Sequence, residues 1–211
     1  MIAGWDQSPG RNGVYWKNGV EHFLGTPNQS VFVNEASFVT RDGSTVTGGQ
    51  SAIGSQGPDG AWMYYTTNDS REIIHVGPNG GNSIAYRAND AANVISGFDR
   101  IGGSSEAKFW TPQLGWVNLT DFLNSQGLYA QGSIFGWSTA LSADGRIWGG
   151  TLATIQGVLP TRIEIPKAIV CHKAPGSPNA KAKNLDVSFP DGFEDHLAHG
   201  DTVGICQIGG E

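Results

Sequence analysis

The stretch at residues 138–151, STALSADGRIWGGT, decides how this chain is read. It reads as a short strand, a turn at Asp144-Gly145 and a second strand ending in glycine. Asp-Gly supplies the positive φ that a tight hairpin needs. The same order appears at residues 36–49 (ASFVTRDGSTVTGG), with Asp42-Gly43 at the turn, and at residues 85–97 (AYRANDAANVISG), with Asp90 in a looser loop. The opening MIAGW matches the second strand alone, so Gly4, Gly48, Gly97 and Gly149 fall in phase, 44 to 52 residues apart.

Two further elements keep that phase. An apolar strand ending in an aromatic follows each of the first three glycines (GVYW at 13–16, AWMY at 61–64, AKFW at 107–110), and a third strand comes after it (VEHFL at 20–24, EIIHV at 72–76, GWVNL at 115–119). Each unit is thus about four short strands separated by Gly, Asn, Asp and Pro, close to the roughly 40 to 45 residues of a β-propeller blade. The expected fold is all-β: propeller-like repeats over residues 1–165 and a small loop-rich Cys/His module over residues 166–211. The strand types number 14, two short of four full blades, which leaves open sheet edges. Such edges present unpaired backbone groups to another chain. A β-sandwich with similar hairpins is the alternative fold.

The pairing of a SADG-type hairpin with an EAKFW strand, at residues 141–149 and 106–110, resembles the HAF repeats of bacterial extracellular proteins. That resemblance covers roughly residues 1–165 and implies a propeller-like β domain and an extracellular location. It brings no catalytic residues.

Gly 31 of 211 residues and only 15% charged residues suit a turn-rich β protein, and the aromatic content (Trp 7, Phe 9, Tyr 5) is too high for a disordered chain. A net charge of −6 argues against nucleic acid, whose phosphates call for a basic surface. No apolar run approaches the ~20 residues of a membrane helix. There is no GxSxG elbow, phosphate loop or HExxH, and no acid pair outside the turns, so no catalytic residue is assigned. Three sequons, at Asn28, Asn68 and Asn118, are no more than chance gives in such a sequence and receive no role. Ser142-Ala143-Asp144-Gly145 with Trp148 lies one residue from the Asp-box spacing of sialidase-type propellers. His22 and His75 lie in apolar strands and are expected to be ordinary packed histidines. Trp5, Trp62, Trp116, Trp137 and Trp148 are expected mostly to pack, with sugar stacking as the alternative.

After Ile165-Pro166 the repeats stop, and both cysteines and three of the five histidines follow, in VCHKAPGSPNAKAKNLDVSFPDGFEDHLAHGDTVGICQ. This segment resembles a C-terminal module of bacterial secreted proteins that begins with CHK and ends in HLxHGDxxGxC. Imidazole nitrogen and thiolate sulfur favour zinc and copper, so Cys171, His172, His196, His199 and Cys206 form a candidate metal site. Two readings of the cysteines stay open. They are either ligands or a disulfide, the usual state of a cysteine pair outside the cytosol. His196-xx-His199 suits a turn aiming both rings at one ion, and Asp201 suits a group behind a histidine or a hard ligand.

The expectation is an extracellular, non-enzymatic assembly or structural protein with a copper- or zinc-binding module, self-associating through open edges, at the limit as a filament. The alternatives are a carbohydrate-binding module or propeller enzyme, and a copper-handling or electron-transfer protein.

Overall fold

The computed structural model describes residues 1–6, 12–24, 32–52, 60–77, 82–101, 104–128, 134–154, 156–173 and 182–206. The sequon at Asn28 lies outside them. The described residues are mostly antiparallel strands, most of them paired with the next strand in sequence. A first sheet holds β1 (Ile2–Asp6), β2 (Asn12–Lys17) and β3 (Val20–Phe23). Then come β4 (Phe32–Val39), β5 (Thr45–Ala52), β6 (Gly60–Tyr65) and β7 (Ser70–Val76), each paired with the next. The third group, β8 (Asn82–Ala88), β9 (Ile95–Ile101), β10 (Ser104–Thr111) and β11 (Gly115–Asn118), is paired likewise and touches the second through Gly49 opposite Ile84. A fourth sheet holds β12 (Ile134–Leu141), β13 (Ile147–Thr154) and β14 (Gly157–Glu164). The C-terminal strands β15 (Lys167–His172), β16 (Lys183–Ser188) and β17 (Thr202–Val203) form a sheet in the order β16-β15-β17.

Three hairpin turns are built alike. Thr40, Asn89 and Ser142 each close the turn by a backbone N–H donated to the carbonyl of Thr45, Val94 and Ile147. Their side-chain oxygens accept the N–H of those same residues at 2.9–3.0 Å. The left-handed position is filled by Gly43 (φ 75°), Ala92 (φ 54°) and Gly145 (φ 78°). In the middle turn Asn89 does the work of a hydroxyl, and Ala91, not Asp90, stands where Asp42 and Asp144 stand. At Asp144, hydrogen bonds from Ser142 Oγ and the Arg146 N–H hold the carboxyl below its ordinary pKa.

Counting three residues past each turn's closing residue reaches Gly48, Gly97 and Gly150. A Cβ there would lie 2.1, 2.0 and 1.8 Å from the carbonyl oxygens of Glu35, Ile84 and Trp137. These three sit beside the bulges of β4, β8 and β12. In the fourth sheet Gly150, one residue later than the sequence phasing puts it, therefore makes the close approach. At Gly149 a Cβ would meet only the Ala140 Cβ at 3.1 Å.

Two helices were not anticipated. In α1 (Leu119–Ser125) the Asn118 side chain caps the N-terminus by accepting the N–H groups of Thr120 and Asp121, the arrangement preferred at helix starts. The other is α2 (Asp191–Ala198). Both pack into a core that runs across residues 165 and 166. Phe109, Phe122, Trp148 and Ile165 from the sheets, α1 and the end of the repeat region meet Val170, Phe189 and Phe193 from the C-terminal unit, all nearly or fully buried. Of the tryptophans, Trp62 and Trp148 are fully buried, Trp116 donates its indole N–H to Asp99, and Trp5 and Trp137 are exposed.

Candidate metal centre

The centre is assembled by the way α2 ends. Gly200 (φ 93°) follows the helix, the Gly200 N–H bonds to the Leu197 carbonyl, and the Asp201 N–H bonds to the His196 carbonyl. This is the Schellman ending, in which the chain folds back over the last turn and brings the residue after glycine above the residue five before it. Asp201 is set beside His196 in this way. The chain then enters β17, where Thr202 pairs with Cys171 and Val203 with Val170, so Asp201 also arrives next to His172.

The carboxylate of Asp201 accepts from both rings, with His172 Nδ1 at 2.9 and 3.0 Å from its two oxygens and His196 Nδ1 at 2.6 Å. The Asp201 side chain is 4% exposed, against 32% for His172 and 29% for His196. Withdrawal from water raises the carboxyl pKa, but the hydrogen bonds from His172 and His196 outweigh it and hold the group below its ordinary range. An ionised carboxylate only accepts, so each imidazole places its proton on Nδ1 and leaves the Nε2 lone pair turned away from Asp201. One donor atom from each of His172, His196 and Asp201 falls within 4.8 Å of the others. The donor set suits a borderline transition ion, and a carboxylate that fixes the tautomer and orientation of ligating histidines is the usual support of such a site.

The five residues expected from sequence divide. His172 and His196 come together. Cys171 and Cys206 are joined in a disulfide, which uses both sulfurs and corrects their reading as thiolate ligands. His199 is the exposed C-cap residue of α2 and stands outside the cluster. Beyond the cluster, His22 stacks on Tyr15 with ring centroids 4.6 Å apart, and His75 lies against Trp116 with its Nε2 3.6 Å from Asp99. No described helix is long and apolar enough to cross a membrane.

No family model and no curated protein matches the chain. Among solved structures it is similar to TolB from Acinetobacter baumannii, with a TM-score of 0.42 and 13% identity over 84% of this chain and 48% of that one. The chain spans about half the length of that protein, and a likeness this low carries no argument about site or activity.

Proposed function

We propose that this is an extracytoplasmic, non-enzymatic binding and assembly protein of propeller-like, HAF-type sheets, whose C-terminal unit holds copper or zinc at His172 and His196 with Asp201 in support. The observation that carries the metal reading is the convergence of two partly exposed imidazoles, each through Nδ1, on one nearly buried carboxylate. The Cys171–Cys206 disulfide supports a location outside the reducing cytosol. The consecutive four-strand pairing of β4 to β7 and of β8 to β11 supports the propeller-like reading.

The test is metal stoichiometry of the whole chain, stripped with chelator and then titrated with Zn²⁺ or Cu²⁺ at neutral pH by calorimetry and elemental analysis. One ion per chain is expected. His172→Ala and His196→Ala each abolish it, whereas His199→Ala, His22→Ala and His75→Ala leave it. A chain that takes up neither ion, with its disulfide intact, overturns the reading and leaves the cluster as a structural clasp.

A further inference from the structure

Lys108 on β10 is directly paired with Asn118 at the end of β11, and Glu106 lies two residues before Lys108 on the same strand. Side chains alternate between the two faces of a sheet and directly paired residues share one, so all three project to the same side. A single oxygen, Glu106 Oε2, holds both of the others, with Lys108 Nζ at 3.1 Å and the Asn118 Nδ2 amide at 3.1 Å. The Lys108 side chain is 14% exposed, so its amine stays among these groups, with Asp99 Oδ2 at 3.7 Å as a second neighbour.

The Asn118 carboxamide is held at both ends. Its Oδ1 accepts the backbone N–H groups of Thr120 at 2.8 Å and Asp121 at 3.3 Å, and its Nδ2 donates to Glu106. Two N–H donors on a carbonyl oxygen stabilise the negative charge that develops there when a nucleophile adds to the carbon. A carboxylate bonded to both the amine and the amide nitrogen can carry protons between them. Helix capping accounts for the Oδ1 contacts and an ion pair for the Lys108 contact, but neither requires the two nitrogens to share one carboxylate oxygen.

We propose that Lys108 and Asn118 form an intramolecular isopeptide cross-link, with Glu106 as the proton carrier. Glu106 takes a proton from the lysine ammonium, and the freed Nζ lone pair adds to Asn118 Cγ. At directly paired positions the Cβ atoms stand about 4.5–5.5 Å apart, within the reach of a lysine side chain. Glu106 then passes its proton to the amide nitrogen, and the Cγ–Nδ2 bond breaks. As the new Cγ–Nζ bond becomes an amide, Nζ gives up a further proton, which leaves with the ammonia as ammonium. Glu106 is again a carboxylate, and no oxidant or reductant is consumed. The bond staples the edge strand β11, and through it the start of α1, to β10 without using a cysteine. The inference is independent of the metal reading.

Intact-mass spectrometry of the whole purified chain, denatured and with its disulfide reduced, tests it. A mass lower by one ammonia than the sequence requires is expected, with trypsin failing to cut after Lys108 and fragmentation joining Lys108 to Asn118. Lys108→Arg should restore the full mass. So should Asn118→Ser, which keeps an oxygen for the helix cap but has no carboxamide. Glu106→Gln keeps both reactants and should form the cross-link about a hundredfold more slowly. Full sequence mass in the unaltered chain after prolonged incubation at neutral pH overturns the proposal. Loss of ammonia that persists in Lys108→Arg also overturns it, because Asn118 would then be closing on its own backbone. An undiminished rate in Glu106→Gln overturns the part given to Glu106.

Discussion

The sheets and the C-terminal unit hold short strands in place by opposite means. In the sheets, register is fixed by what is missing: Gly48, Gly97 and Gly150 let a neighbouring carbonyl come where any side chain would collide. In the C-terminal unit, register is fixed by added links: the Cys171–Cys206 bond and a carboxylate shared by two histidines tie β15 to the segment after α2. A frame of stacked strands tolerates few additions at its crossing points. A unit with one two-residue strand and an eight-residue helix depends instead on cross-links.

The largest test of that contrast is removal of the cross-link. Cys171 and Cys206 are 35 residues apart, and closing a loop of that length is worth about 4 kcal/mol in the chain-entropy account. Cys171→Ser with Cys206→Ser should lower unfolding stability by about that much in denaturant titration. A loss below about 1 kcal/mol would mean that the shared core alone holds the unit.

A smaller effect separates two adjacent glycines. Gly150→Ala places a Cβ 1.8 Å from the Trp137 carbonyl and should cost about 3 kcal/mol, whereas Gly149→Ala meets only a methyl at 3.1 Å and should cost under about 1 kcal/mol. Equal losses on thermal unfolding would return the phase to Gly149.

The smallest effect concerns a charge where the two regions meet. Glu194 of α2 accepts the Gln113 N–H, and burial pushes its carboxyl above the ordinary value, against the opposing hydrogen bonds from Thr111 and Gln113. A carboxyl raised on folding costs stability above its unfolded value, fully so once pH passes the folded one. Glu194→Gln should therefore raise the melting temperature at pH 7, with the advantage fading as pH falls toward 4.5. A variant less stable at pH 7 would show that the charge is favourable there.

Much of the strand framework is legible in the residues, because Asp42-Gly43 and Asp144-Gly145 announce their turns and the apolar strands follow at a steady distance. The middle turn is less so, since Asn89 and Ala92 reproduce the geometry without the letters Asp-Gly. The phase slipped to Gly149 because letters align glycine runs, whereas register is set by where the bulge falls. Both helices leave signals that the strand pattern obscured: Asn118 with Asp121 in the first turn of α1, and Gly200 just past the end of α2. Only the return of the chain at Gly200 shows why Asp201 joins His172 and His196.

The continuous core has a consequence for portability. Phe189 and Phe193 of the C-terminal unit interlock with Phe122 of α1, and Phe189 also meets Trp148 of the fourth sheet, ring against ring at 5.8 to 6.3 Å. Severing the chain between residues 165 and 166 would strip partners from both halves of that cluster. Transplanted to another scaffold, the C-terminal unit would carry two bare phenylalanines with it, and the sheets left behind would face solvent with Trp148. The smallest transferable piece that keeps this aromatic cluster together therefore begins ahead of β10, which supplies Phe109, and includes α1 and the fourth sheet.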